Sequence, residues 1–369
     1  MNSEALDGIN VVDVSGTVGT GYCSKVFADY GAQVVNLETE SGFATRRLGP
    51  HIPGVSEPEN SAMHAFLSTN KKSVVATDLS SDVAKRVLQE ADLILDDGSD
   101  WDGCNQSTDA IRSSITWYGK GGPYSDFVGS DMEIFALNGM LRGIGHIDGP
   151  PIIPTGYQAQ IIGGASAFIG SMAQVFGKEL GNSLEPVHVE TSIYESCLCF
   201  TDVGIVGAYS SGIVAPRMGI NRFPPTYPLG VFPCKDGWIG VTVLTPSQWH
   251  AFCKLLEMDD LSQLELFQSA IGRLQGIDII EPRMREKLLT FSAEDIFYRA
   301  QKARVPLARV PTMEELFDVD QFVERNAFSL AHSQHYEINV PSVPFRLFRT
   351  PPKFGGVVAH LGAHTKDYA

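Results

Sequence analysis

The sequence predicts an α/β protein built on a parallel, doubly wound sheet, accompanied by a smaller second unit. Three observations carry this reading. The chain has 369 residues, too many for one hydrophobic core, so about two domains are expected. Its first forty residues read strand, glycine-rich turn, helix, strand, the spacing of a βαβ unit and hence of a parallel sheet. Composition shifts at Arg217 to Pro228, where Pro, Arg and aromatic residues crowd together; such a stretch is a linker and not an element interior.

The elements follow in order. Gly8 to Val14 is a short apolar run with β-branched residues, a buried strand. The glycines Gly16, Gly19 and Gly21 turn the chain into a helix over Tyr22 to Tyr30, and Gly31 to Leu37 is a second strand that ends at Glu38. Further strands are expected at Ser73 to Asp78, Leu93 to Leu95, Ile111 to Trp117 and Val187 to Thr191. Helices are expected at about Asp82 to Glu90, at Asp131 to Arg142 and at Gly163 to Lys178. The last is rich in Gly, Ala and Ser with bulky residues between, which suits a tightly packed buried helix. The smaller unit starts at Leu229, with a strand at Ile239 to Leu244 and a helix around Gln248 to Leu256. Charged helices continue to about Ala303, and Val305 to Pro311 is a second extended connection. The proline-rich tail from Val340 is expected to wrap back over the first domain.

Composition narrows the function classes. No apolar run approaches the ~20 residues needed to cross a bilayer, and the acidic N-terminus does not read as a secretory signal. The six cysteines form no CxxC pair, which points to reduced thiols in a cytoplasm. A net charge of −15 repels nucleic acid and anionic membrane, so neither is expected as a partner. A polyanionic ligand would need a local basic cluster. Asn70-Lys71-Lys72-Ser73 is one such step and Arg46-Arg47 another; adjacent cations with a hydroxyl at a turn can hold phosphate, and a solvated surface turn fits the same residues.

Other motifs are weaker. The glycine turn does not spell GxGxxG, though Glu38 at the end of the second strand keeps a nicotinamide-binding reading open. Gly-x-Ser-x-Gly is absent, and His146, His188 and His250 share no motif. His332 with His335, and His360 with His364, have no acid or thiol partner at ligand spacing and read as surface or packing residues. No metal is expected.

Taken in order, several pieces resemble the class III CoA-transferase family, the CaiB/BaiF type that includes formyl-CoA and carnitine CoA-transferases and α-methylacyl-CoA racemases. Leu6 to Val14 resembles its opening strand. Phe27-Ala-Asp-Tyr-Gly-Ala-Gln-Val-Val-Asn-Leu-Glu38 is similar to "LADLGAEVIKVE", and Arg46 matches the arginine that follows. Thr69-Asn-Lys-Lys-Ser-Val74 resembles "NRNKRSV", and Tyr118 to Tyr124 with Asp131 resembles "GFGQTGPY…D". Asp236-Gly-Trp-Ile239 matches "DGWI", and Leu361-Gly-Ala-His-Thr365 resembles the closing "LGEHT".

The resemblance implies a large Rossmann-like domain from both chain ends (1–205 and 325–369), a linker (206–228), an inserted α+β domain (229–304) and a return linker (305–324). It implies two chains interlocked as linked rings. It implies CoA or acyl-CoA as substrate, with no covalently bound cofactor, and places Arg46, Asn70, Lys71, Lys72 and Ser73 near the nucleotide. In active members an aspartate attacks the donor thioester to give a mixed anhydride, which CoA thiolate converts to an aspartyl thioester. Here the loop before the small-residue helix puts Ala159 at that position, or Gln160 on a one-residue shift. Neither can act, so no catalytic residue is expected in this chain. Ser130 stands where the racemase branch needs a histidine. The "NFRPG" loop is replaced by Asp96-Asp97-Gly98-Ser99-Asp100, and four acids within Asp96 to Asp102 argue against CoA binding as well as chemistry.

The expectation is therefore a non-catalytic subunit, interlocked in a heterodimer or heterotetramer with a paralogue that carries the aspartate, as in the heteromers acting on aromatic succinates such as benzylsuccinate. The alternatives are an active transferase or racemase using Asp131 or Glu133, and a homodimeric protein that senses an acyl-CoA. The acid substrate is not legible.

Overall fold

A computed structural model describes residues 4–99, 109–182, 187–212 and 217–369. It divides into two compact units: residues 1–140, 153–211 and 320–369, and residues 141–152 and 212–319.

The first unit is built on the expected parallel sheet. In chain order it contains β1 (Asn10–Asp13), α1 (Val18–Asp29), β2 (Gln33–Glu38), α2 (Ala62–Leu67), β3 (Lys71–Val75), α3 (Asp82–Gln89), β4 (Leu93–Asp96) and β5 (Ile111–Thr116). There follow α4 (Asp131–Leu137), α6 (Gln158–Glu179), β6 (His188–Ser192), α7 (Ile193–Ser196) and α8 (Asp202–Ser211); α5 (Met140–Gly143), between α4 and α6, opens the stretch 141–152 of the other unit. The six strands lie in the order β3-β2-β1-β4-β5-β6, every neighbouring pair parallel. This is the doubly wound order with its switch point beside β1. Val11, Val12, Val34, Leu93 and Leu95 are almost wholly buried, as parallel strands covered on both faces require.

Local chemistry sets the element ends. Gly16 has φ +61° and an added Cβ would lie 2.0 Å from Phe43; its N–H donates to Asp13 Oδ1 at 3.1 Å. Thr17 then caps α1 in a reciprocal pair with Thr20. The glycines thus make the strand-to-helix turn. The helix expected over Asp131 to Arg142 is two pieces. α4 stops at Leu137 because Asn138 turns its amide onto the Cys197 carbonyl (3.1 Å) and takes the Met140 N–H (2.9 Å), while Gly139 adopts φ +86°.

α6 starts one turn earlier than the sequence suggests. Its 22 residues are apolar enough, by length and composition, to cross a bilayer, so the expectation that no such stretch exists is corrected. In the fold it packs on α1, β5 and β6. Close approach depends on two glycines. A Cβ on Gly164 would stand 2.4 Å from the Gly19 carbonyl, and one on Gly163 would stand 2.6 Å from Ile193.

The tail returns to this unit. After α14 (Asp320–Glu324), the strands β10 (Phe328–His332), β11 (Glu337–Pro341) and β12 (Gly356–Val357) form a small sheet. Beyond it, Val358 bridges Lys71, the His364 N–H donates to the Ser73 carbonyl at 2.9 Å, and the Val75 N–H donates to Thr365 at 2.9 Å. The tail thereby covers the edge of β3, which would otherwise expose unpaired backbone groups.

The second unit has its own core. An antiparallel sheet of β7 (Leu229–Pro233), β8 (Trp238–Thr242) and β9 (Leu307–Arg309) packs with α9 (Pro246–Leu255), α10 (Asp259–Ser262), α11 (Ala270–Gln275), α12 (Ile277–Leu288) and α13 (Ala293–Lys302) around Trp249, Phe252, Phe267 and Met284. β9 lies in the segment read above as an extended connection. It is extended, and it also completes the sheet.

Two predictions follow from the packing. Gly164→Ala forces α6 from α1 and should cost about 1–3 kcal/mol in urea unfolding; a change under ~0.5 kcal/mol would show that the helices can part freely. His64 is buried, its Nδ1 2.9 Å from Thr45 Oγ. Burial, then Arg46 and Lys71, hold its pKa well below the ordinary value. The folded imidazole therefore refuses a proton that the unfolded one accepts near pH 6.5. Its contribution is complete above that pH and is lost as pH falls, by at most about 1.4 kcal/mol per pH unit. His64→Gln should flatten the stability profile between pH 6.5 and 5; identical profiles would refute this.

Candidate active site

The N-terminal end of α6 and the carboxyl ends of β4 and β5 lie where open parallel sheets place their ligands. Ala159 and Gln160 are not on a loop, as expected above, but in the first turn of α6. Ala159 is fully buried. A carboxylate does stand beside them, supplied by α4. Asp131 Oδ1 accepts from the Ala159 N–H (2.7 Å) and the Gln160 N–H (3.2 Å), and its Oδ2 accepts from Gln160 Nε2 (2.9 Å). Asp131 thus caps α6, satisfying backbone donors that the helix itself cannot. An attack on a thioester by this carboxylate would have to break those bonds.

Two neighbouring side chains, Glu133 and Cys197, are the other candidates. Glu133 is half-buried, and a hydrogen bond from the Ser130 hydroxyl holds its pKa below the usual range. Cys197 points its thiol at the Ala159 carbonyl (3.9 Å). Burial pushes its pKa up to about 12, with Cys199 and Asp131 adding to the shift. It is a protonated thiol at neutral pH and a poor attacking group.

Beside β5 a cavity of about 380 Å³ is lined by Asp97, Asp126, Lys120, Thr116 and Phe127. Phe127 stacks on Tyr124 at 4.8 Å, and both rings stand near Tyr118. The repulsion expected from four acids is smaller than the sequence suggests. Asp96 is buried and paired with Arg112 at 2.6 Å, so it does not face a ligand; Asp97 lines the cavity; Asp100 and Asp102 lie outside the described residues.

The basic residues expected at the nucleotide are mostly engaged within the chain. Arg46 is 0% exposed, forked onto Glu38 (2.7 and 2.8 Å) and paired with Glu59 (3.2 Å). Ser73 donates to the same Glu38 (2.7 Å). Lys71 donates to the Gly21 carbonyl (2.9 Å) and Ser24 (2.7 Å), and burial brings its pKa down to about 8. The Asn70 amide bridges Asp29 (3.1 Å) and the Gly355 carbonyl (2.8 Å). Only Lys72 is left half-exposed without an ion pair among the described residues. Since Glu38 is held by Arg46 and Ser73, it cannot take a ribose hydroxyl, which removes the ground for the nicotinamide reading. Among the described residues no group of acids, histidines and cysteines could hold a metal.

Sequence reasoning missed the role of Asp131 as the cap of α6. The two residues are 28 apart along the chain, and the helix start that would have signalled a cap is hidden by the glycine-rich pattern beginning at Gly163.

Comparison with known proteins adds a further finding. The description of CoA-transferase family III matches residues 6–365. The chain is 23% identical to succinate–glutarate CoA-transferase of Agrobacterium fabrum, over 97% of this chain and 93% of that protein. It is 24% identical to succinyl-CoA:(R)-benzylsuccinate CoA-transferase subunit BbsE of Thauera aromatica, over 97% and 92%. The crystal structure of a CAIB/BAIF family protein from Brucella suis superposes with a TM-score of 0.85 at 21% identity, covering 99% of this chain and 98% of that one.

Asp131→Ala should leave buried α6 N–H groups without an acceptor and destabilise the fold by about 1–3 kcal/mol. Asp131→Asn, which keeps one acceptor oxygen, should recover part of that loss. Equal urea midpoints for wild type and Asp131→Ala would refute the capping role.

Proposed function

Because the chain belongs to CoA-transferase family III, we propose that it is the non-catalytic subunit of a heteromeric CoA-transferase, paired with a paralogous chain that carries the reactive aspartate. One observation carries this reading: a buried methyl and an amide occupy the first turn of α6, and the only carboxylate bonded there among the described residues, Asp131, is engaged by three N–H donors. Transfer through an acyl anhydride needs a carboxylate free to attack.

In the proposed assembly the partner's aspartate opens the acyl-CoA. Carboxylate oxygen bonds to the acyl carbon and the thiolate of CoA leaves. The thiolate then attacks the aspartyl carbonyl and releases the donor acid. The acceptor acid finally takes CoA through the reverse pair of steps. This chain contributes fold and not nucleophile. The reading of succinyl-CoA as donor and an aromatic succinate such as benzylsuccinate as acceptor is supported by the likeness to a relative named as a subunit of such an enzyme; at 24% identity it stays a substrate class to test.

Exposed apolar residues favour a covering chain. On α6, Ile169 and Phe176 are more than 60% exposed, and on α8 Tyr209 is 95% exposed. Large rings and branched chains in water are characteristic of faces that another subunit buries. An interlocked heterodimer or heterotetramer fits this pattern, and the lack of CxxC spacing among the cysteines favours a cytoplasmic location.

The test is expression of the chain alone and together with a candidate paralogue, followed by native mass and CoA exchange between succinyl-CoA and benzylsuccinate. The expected result is a mixed assembly with activity at least ~10³-fold above that of this chain alone, the scale of loss when a nucleophile is missing. Turnover by this chain alone, with hydroxylamine trapping a carboxylate on Asp131 or Glu133, would overturn the proposal.

A further inference from the structure

Among the described residues two arginines are fully buried, Arg46 and Arg273. Arg46 is matched by Glu38 and Glu59. Arg273, in α11 of the second unit, has no carboxylate acting on it among the described residues. Its Nε donates to the Tyr227 carbonyl (2.7 Å) and its Nη1 to the Phe267 carbonyl (3.1 Å), while its Nη2 has no acceptor. Burial draws the Arg273 pKa down, opposed by the Cys253 thiol. Burial also pushes that thiol up to about 12, so at neutral pH it carries no charge to set against the guanidinium. Carbonyl dipoles replace part of the lost hydration, but a buried charge without a counter-charge remains costly.

A second orphaned donor lies beside it. Trp249, in α9, is 0% exposed, and its indole Nε1–H also has no acceptor. The guanidinium carbon of Arg273 stands 5.4 Å from the centre of the Trp249 ring. Two N–H donors up to about 6 Å apart can share one acceptor, since each bond spans roughly 3 Å. Both groups only donate, and that decides the kind of ligand. A water molecule would fill the donors but leave the charge unmatched and bring two protons of its own into an aromatic core. An anion only accepts, and it carries the missing charge. The close-packed surroundings, with Phe252, Phe267 and Cys253 all at 0% exposure, select a small ion that sheds its water readily, a halide over sulfate or phosphate.

We infer that the core of the second unit binds a halide ion, held between Arg273 Nη2 and Trp249 Nε1. The site lies wholly within that unit and uses no residue of the α6 terminus, so it stands or falls independently of the subunit assignment.

Bromide is the probe, because its anomalous scattering locates it. Crystals of the full chain grown with bromide should show an anomalous peak within hydrogen-bond reach of both nitrogens. In solution, bromide replacing gluconate at constant ionic strength should raise the thermal midpoint by about 3 °C for each tenfold rise above half-saturation. Sulfate should give no such rise. Trp249→Phe, which keeps an aromatic ring and removes the donor, should shift half-saturation to at least fivefold higher bromide. Arg273→Met should abolish the dependence; if that variant does not fold, Trp249→Phe decides. Bromide peaks confined to the protein surface would overturn the inference, as would a midpoint that rises equally with sulfate. An unchanged bromide response in Trp249→Phe would do the same.

Discussion

The guanidinium of Arg46 is the point on which the first unit turns. It is completely buried, and a charge removed from water is tolerable only when it is paired and its donors are filled. Glu38, at the end of β2, takes it bidentately and Glu59 takes it from a loop. Glu59, Ser73 and Arg46 also bind the tail: Glu59 accepts the Leu361 N–H, Ser73 accepts the Gly362 N–H, and Arg46 itself approaches the Ala359 carbonyl. Strand ends, loop and tail are thus fixed by one electrostatic knot, whose members satisfy one another and leave nothing for a ligand. Arg46, Asn70 and Ser73, which looked like parts of a phosphate cradle in sequence, help to hold the two chain ends together.

A second buried cluster works similarly on the same face of β3, two residues along the strand. Lys71 reaches the Gly21 carbonyl and Ser24, Ser24 donates to Asp13 (3.0 Å), and Lys25 pairs with Asp29 (2.9 Å). Burial raises the pKa of Asp13 while Lys71 lowers it. The alternation Lys71-Lys72-Ser73 on one strand explains why adjacent cations have opposite roles. Successive strand residues face opposite ways, so Lys71 enters the core and Lys72 meets solvent.

The sheet was legible because parallel strands buried on both faces appear as short β-branched runs, as at Val11-Val12 and Val34-Val35. The boundary at Asn138 was not, since a helix break made by a side chain reaching Cys197 depends on a contact 59 residues away. The candidate site was half legible. Order and spacing pointed to the segment that forms the first turn of α6, whereas the orientation of Asp131 was not legible, because capping is set by where two helices meet. The charge of Asp96 was misjudged for a related reason: sequence shows an acid, and only the fold shows Arg112 against it. The family match accounts for the end-to-end order of the motifs and says nothing of which polar side chains face inward.

The knot around Arg46 has a consequence for how the polypeptide is made. Ser73 and Gly362 are 289 positions apart, and at a synthesis rate of about 5–20 residues per second the later residue leaves the ribosome roughly 15–60 s after the earlier one. Throughout that interval the rim of β3 is bare and Arg46 lacks its last partners. A nascent chain with an open sheet rim is a substrate for chaperones and for mispairing, so during translation this protein is most exposed to the cell's quality control at the strand that is best protected once the chain is complete.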